Sequence, residues 1–283
     1  MKVSIITATY NSARTIRDTI TSVNKQTYKN VEHIIIDGAS DDKTLQIAEF
    51  YGHTGPIVSE KDNGIYEAMN KGVTLAKGDI IGILNSDDFY PDANVIGKVI
   101  EAFEDKNVDA VYGDLLFIDA ANSQKVNRRW IAGGYDKKLF YRGWMPPHPT
   151  FFVRREVYEK FGQFDLNLKS SSDYELLLRF LLLHKIKVKY LPGVMVHMRE
   201  GGHSNKSIFH RLAAHKEDYM AWKSNGLSPK WYTLTMKPLR KVKQFVITNK
   251  TSWLSDMLTN IFPLAAPWRN HLSNRAAGAE DYK

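Results

Sequence analysis

The chain has 283 residues, 43% of them hydrophobic, which is enough for a full core and about one large domain with an appendage. It contains no cysteine, so disulfides, zinc–thiolate centres and thiol catalysis are excluded, and a reducing cytoplasm fits. The net charge of +8 is uneven: residues 206–283 hold 13 Lys and Arg against five Asp and Glu, so the whole excess lies there.

The opening Met1–Thr7 has an apolar run too short for a signal-peptide core. Val3–Thr7 reads as a first strand, ending in the polar run Thr7-Ala8-Thr9-Tyr10-Asn11. Ile16, Ile20 and Val23 then recur at helical spacing. Val31–Asp37 is a second strand, and Ser40-Asp41-Asp42 predicts a capped helix start. Pro56–Ser59 is a short strand, Ile65–Ala76 an amphipathic helix, and Asp79–Leu84 a fourth strand. Near-continuous apolar strands alternating with helices predict a parallel sheet covered on both faces, with ligands beyond the carboxyl ends of its strands.

That fourth strand stops at Asn85-Ser86-Asp87-Asp88. Paired carboxylates at a strand end offer hard oxygen ligands for a divalent cation that holds a diphosphate. The same residues would serve as an acidic turn before a helix starting at Pro91-Asp92-Ala93. The ends of the first, second and fourth strands thus place polar loops on one edge.

A helix over 92–104 and a strand at Asp109–Gly113 follow, then irregular sequence through Trp144-Met145-Pro146-Pro147-His148-Pro149, typical of a variable substrate-binding region. A last helix is expected from Ser172 to His184, with Ser172 and Glu175 in a capping-box pattern, and strands at Lys187–Leu191 and Val194–Met198. Leu176–Leu183, the longest apolar stretch, is broken by Arg179 and is far short of the ~20 residues that span a bilayer. From Ser228 to Arg269 seven Lys or Arg alternate with six aromatic residues, the pattern of helices lying on an anionic membrane surface. A packed helical extension with a solvated basic face would read the same way, and nucleic-acid binding is disfavoured because no nucleic-acid motif accompanies the charge.

Five stretches, VSIITATYN at 3–11, VEHIIIDGASDD at 31–42, DNGIYEAMNKG at 62–72, GDIIGILNSDD at 78–88 and SSSDYELLLRF at 170–180, occur in an order and spacing that resembles the family 2 glycosyltransferases. The resemblance covers roughly residues 1–200. It implies an α/β, GT-A-type fold, a mostly parallel Rossmann-like sheet covered by helices, here with a C-terminal helical extension. The expected division is a catalytic domain over 1–205 (nucleotide-sugar half 1–113, acceptor half 114–205), a basic, aromatic-rich extension over 206–272 and a flexible tail over 273–283.

The resemblance also implies roles. Tyr10 would pack on the nucleotide base and Asp37 would accept from a uracil ring. Thr7, Thr9, Lys71 and Ser86 would complete the nucleotide-diphosphate set, with Asn85, standing where the family has an acid, on the ribose. Asp87 is the expected ligand of Mn²⁺ or Mg²⁺, supported by Asp88. His197 would be a third ligand favouring Mn²⁺, with His203 the alternative. Asp173 matches the family's general base. Met69 stands where many members carry an Arg. The implied function is an inverting, metal-dependent transfer of a hexose or acetamidohexose from a UDP-sugar to a hydroxyl of a glycan in bacterial surface polysaccharide synthesis (O-antigen or capsule type). The basic tail adds an acceptor linked to a polyprenyl diphosphate and a peripheral place on the inner face of the cell membrane. A nucleotidyltransferase shares the topology but needs an early Gly-rich phosphate loop, absent from Thr7–Asn11. A catalytically silent nucleotide- or glycan-binding module is the rival of a different class.

Overall fold

The computed structural model describes residues 1–52, 55–201 and 208–245. Its centre is the strand β1 (Val3–Thr9), which pairs in parallel with β2 (Val31–Asp37) on one side and β4 (Ile80–Ile83) on the other. The short β3 (Ile57–Ser59) extends β2 in parallel. Every residue of β1 is buried, and the period of two divides its apolar run between two cores. Ile6, with Ile34 and Ile36 of β2, packs under Ala68, Met69 and Val73 of helix α3 (Ile65–Leu75). Val3 and Ile5 share the opposite core with Val95, Ile96 and Val99 of α4 (Val95–Phe103). Ile35 meets Ile16 and Ile20 of α1 (Ile16–Asn24) and Ala48 of α2 (Thr44–Phe50).

Beyond β4 the sheet turns mixed. β5 (Ala110–Ile118), β6 (Val126–Trp130) and β7 (Phe152–Arg154) enter antiparallel, giving the order β3-β2-β1-β4-β7-β5-β6, and β8 (Val188–Arg199) runs parallel along β5. The helices of this half are α5 (Lys137–Phe140), α6 (Arg155–Phe161) and α7 (Ser172–Leu178), the last continuing into a π-helical turn over Arg179–Leu183.

The local expectations that failed did so for stated physical reasons. The two strands expected at 187–198 are one strand, whose register on β5 shifts beside Pro192 and Gly193. β6 carries Asn127, Arg128 and Arg129 instead of apolar alternation; Arg128 lies 3.4 Å above the Phe117 ring, so its pairing shows no hydrophobic period. β7 has three residues, too few for any pattern. The capping box at α7 does not form: Glu175 is ion-paired with Arg179 at 2.9 Å and the Ser172 hydroxyl is buried without a partner. Helix α2 starts at Thr44, because Asp42 turns to accept from the Thr44 N–H and hydroxyl while Ser40 turns to Asp37.

Two further helices, α8 (Ile208–Ser224) and α9 (Thr233–Phe245), lie against α7 and the 141–145 turn. Trp222 is fully buried in the same core as α7, its indole N–H donating to Tyr174 at 2.9 Å, and Asn225 donates to Glu175. Residues 246–283, with Trp253 and Trp268 of the expected membrane element, lie outside the described residues, as does His203. No described helix is long and apolar enough to cross a membrane.

Gly143 admits α9. Its φ is +73°, and a Cβ there would stand 2.4 Å from the backbone nitrogen of Lys237. Gly143→Ala should therefore cost roughly 1–3 kcal/mol in strain and push α9 away. Amide exchange should rise over 233–245 and stay unchanged in β1 and β2.

Candidate active site

The carboxyl ends of β1, β2 and β4 are tied to one another by their loops. The Ser40 hydroxyl accepts from the Asn11 N–H at 2.8 Å, Thr44 Oγ1 from the Ser12 N–H at 2.7 Å, and Asp42 from the Ala13 N–H at 3.1 Å. Ser12 and Ser86 share a hydrogen bond of 2.8 Å, and Thr19 donates to the Asp88 carbonyl at 2.7 Å. These bonds make the three loops one preformed rim, with Asn11 and Ala39 held at positive φ.

On that rim Tyr10 is 59% exposed, presenting a ring face. Gly38 lies beside it, where a Cβ would meet the Tyr10 ring at 3.5 Å and Asp62 Oδ2 at 2.9 Å. Asp62, not anticipated from the sequence, is thus a half-buried carboxylate next to the exposed ring. Asp37 is fully buried and already accepts from the Ser40 N–H, the Ser40 hydroxyl and the Ser59 hydroxyl. One of the roughly four acceptor positions of its carboxylate is left.

Other expected nucleotide contacts are placed differently. Thr7 is fully buried, donating to the Leu84 carbonyl at 2.7 Å with its oxygen 2.9 Å from His33 Nε2, so it joins strands and does not face the rim. Thr9 is buried with a partnerless hydroxyl. Lys71 sits between Glu60 at 2.9 Å and Glu67 at 3.3 Å, its charge already neutralised; hydrogen bonding to Glu60 raises its pKa. Met69 is core.

In the acid loop Asp87 is half-buried and Asp88 has no exposed surface. Asn85 donates to Asp88 Oδ2 at 3.0 Å, leaving Asn85 Oδ1 and Asp88 Oδ1 buried without partners. Burial, then the Asp87 charge, raises the Asp88 pKa well above the usual range. Arg199 of β8 clamps the loop, donating to the Asp87 carbonyl at 2.9 Å and ion-pairing with Asp18. His197 pairs with Phe89 through its backbone while its ring stands edge-on to Phe89 at 5.3 Å, and burial lowers its pKa. Among the described residues no three His, Asp or Glu side chains gather as a metal cluster, so the expected set of Asp87, Asp88 and His197 is not assembled. The donors present still fit a hard cation that takes one or two protein oxygens and completes its shell with phosphates and water, with Asp87 the most accessible.

Asp173, the second residue of α7, has three neighbours that sequence reasoning missed. Tyr66 donates to Oδ1 at 3.1 Å, and His148 Nδ1 lies 3.0 Å from Oδ2. The third is Lys237, which stands 3.7 Å above the ring of Tyr174 and is paired with Asp218 at 2.7 Å. Burial pushes the Asp173 carboxyl up, but His148, Lys237 and the Tyr174 N–H outweigh it and hold the pKa at about 2. Tyr66 is pushed far up by burial and the facing carboxylate, so it stays a donor. The only sequence hint of this cluster was the Pro-flanked His148, in a segment read simply as variable loop.

A parallel half-sheet with a tied rim and acid loop, joined to a mixed half that carries an ionised carboxylate, is the arrangement that the resemblance to the GT-A-type glycosyltransferases implies. The "Glycosyl transferase family 2" model matches residues 4–162, more than half of the chain. A PGL/p-HBAD biosynthesis glycosyltransferase of Mycobacterium bovis is 31% identical over 213 residues, 72% of this chain and 80% of its own. An uncharacterized glycosyltransferase of Rickettsia typhi is 31% identical over 65% of this chain and 60% of its own. Two solved structures share the fold at 17% identity and a TM-score of 0.61: Staphylococcus aureus TarS 1-349 in complex with UDP-GlcNAc, over 92% of this chain and 82% of that one, and the Pyrobaculum calidifontis mannosyltransferase PcManGT in complex with GDP-Man and Mn²⁺, over 98% and 79%. The chain belongs to glycosyltransferase family 2.

Proposed function

We propose that this glycosyltransferase moves a hexose or acetamidohexose from a UDP-sugar, with inversion, to a hydroxyl of a glycan carried on a polyprenyl diphosphate, in surface polysaccharide synthesis. The observation that carries the reading is the pairing of an exposed Tyr10 and acid loop on one rim with an ionised Asp173 in the acceptor half. The uracil stacks on Tyr10, and its N–H donates to the half-exposed Asp62, while the buried Asp37 holds the Ser40 and Ser59 hydroxyls beneath. Asn85 and Ser86 line the ribose and diphosphate path. Asp87 holds the divalent cation, Mn²⁺ or Mg²⁺, with Asp88 behind it; when bound, the ion offsets the charge that develops on the departing diphosphate. Asp173 takes the proton of the incoming hydroxyl at a free lone pair, while Tyr66 and His148 fix its orientation. With a pKa of about 2 it is too weak to deprotonate an alcohol in the ground state. Proton transfer must therefore accompany bond formation, when the attacking oxygen has become acidic.

Release of UDP from a panel of UDP-sugars with Mn²⁺, with and without acceptor, tests this directly. One UDP-hexose should be turned over; turnover confined to GDP- or dTDP-sugars would remove the uridine assignment. The lipid-borne acceptor is supported by the basic residues and aromatic rings that alternate from Ser228 to Arg269. A peripheral place on the inner, cytoplasmic face of the membrane is supported by Trp231, 91% exposed ahead of α9, with Leu239 46% exposed on α9. Binding to vesicles rich in anionic lipid should weaken with salt and fall several-fold on Trp231→Ala. Indifference to lipid charge, salt and Trp231 would remove the membrane part and leave the transferase reading intact.

A further inference from the structure

A cavity of about 240 Å³ lies between the end of β6, the turn at residues 143–145 and helix α9. Its walls include Arg129, Lys237, Arg240 and Lys241, with Trp130 and Trp144 supplying flat apolar surface, and no carboxylate among the lining residues. Arg129 is exposed and Arg240 half-buried, and among the described residues neither forms an ion pair. The cavity is smaller than the roughly 300–1,000 Å³ of pockets that enclose a whole small ligand, so it suits one charged substituent of a larger molecule. It also adjoins the candidate base, because Lys237, part of its wall, stands 3.7 Å above the ring of Tyr174, the residue that follows Asp173. With Lys237 already paired to Asp218, Arg129 and Arg240 on a partly apolar surface have an obvious complement: a phosphate or diphosphate ester, which Arg engages through two parallel hydrogen bonds while the rings contact the adjoining carbon chain.

We infer that this cavity between β6 and α9 is an acceptor subsite for a phosphate or diphosphate ester with an apolar carrier, placed so that the hydroxyl of the same molecule reaches Asp173. The inference rests on the reading of Asp173 as the acceptor-side base, but its first test does not use catalysis. Burial and the neighbouring Arg142 both lower the Arg240 pKa, a cost that an anion in the cavity would relieve.

Titration calorimetry in excess EDTA, with inorganic pyrophosphate and with farnesyl diphosphate, reads the cavity without the donor metal. Both should bind at one saturable site, farnesyl diphosphate more tightly because Trp130 and Trp144 cover part of its chain. Arg129→Gln with Arg240→Gln should weaken both by at least ~10-fold, since each Arg contributes charged hydrogen bonds. Arg129→Lys with Arg240→Lys should recover part of the loss, and an unchanged melting temperature shows that the fold is kept. Pyrophosphate binding that survives the Gln pair, or that appears only when Mn²⁺ replaces EDTA and is lost in Asp87→Ala, would place the anion at the donor site and overturn the inference. Attraction to phosphatidylglycerol vesicles with no saturable pyrophosphate binding would overturn it too, leaving a charged surface instead of a subsite. If pyrophosphate binds as expected but no UDP-sugar is turned over, the cavity stands and the UDP-sugar reading fails.

Discussion

Asp173→Asn should reduce sugar transfer by ~10² to 10⁴-fold while leaving the fold and UDP binding intact. Asn keeps an oxygen for the Tyr66 hydroxyl, which donates to Asp173 Oδ1 at 3.1 Å, and its NH2 can donate to His148 Nδ1, 3.0 Å from Oδ2, in the tautomer that leaves that nitrogen an acceptor. It cannot take a proton. The native carboxyl is depressed to about 2 from an ordinary 3.8, so its ion-pair contribution to stability, about 2 kcal/mol, is fully present above pH 4 and is lost as pH falls through about 2. The same depression keeps Asp173 ionised at every working pH. The ratio of wild-type to Asp173→Asn rates should therefore be flat between about pH 5 and 8, and any acid limb in that range belongs to another group. A variant that transfers at the wild-type rate would show that the proton goes elsewhere.

Asp87→Ala should cost at least ~10²-fold in transfer, because the ion proposed there would stabilise the leaving diphosphate by several kcal/mol. The loop should keep its shape, since Arg199 grips the Asp87 carbonyl, not its side chain, and Thr19 grips the Asp88 carbonyl. Chelation should abolish transfer and Mn²⁺ should restore it. Asp88→Asn offers the contrast. Asp88 is fully buried with its pKa raised by burial and by Asp87, so a neutral amide should be tolerated with a much smaller loss of rate. Reversed sensitivities would assign the ion to Asp88, and full activity in excess EDTA would exclude the metal altogether.

Much of the parallel half-sheet was legible in the sequence because it is local. Apolar runs such as Val31–Asp37 declare buried parallel strands, and the residues that follow a parallel strand must lie at the carboxyl edge, so the acid loop and Tyr10 were bound to share one rim. Motif order added the family, which the family-model match and the mycobacterial relative bear out. The mixed half of the sheet was far less legible. β6 carries three polar residues in five, β7 has only three residues, and neither has a period to read.

What the sequence by itself determined is which residue types stand at the strand ends: a polar rim, a double carboxylate after β4, an acid at the start of α7. Which of them remain available for chemistry was decided by the tertiary structure. Thr7 and Lys71 look like ligand contacts in the chain, yet one is consumed by Leu84 and His33 and the other by Glu60 and Glu67. Asp173 receives Tyr66 from 107 residues away and feels Lys237 from α9, and Asp62 and Tyr10 both come to lie beside Gly38. Local sequence sets backbone period and capping. The occupancy of a lone pair and the pKa of a carboxyl depend instead on which distant side chains the packing brings within about 3 Å, and no short-range pattern encodes that.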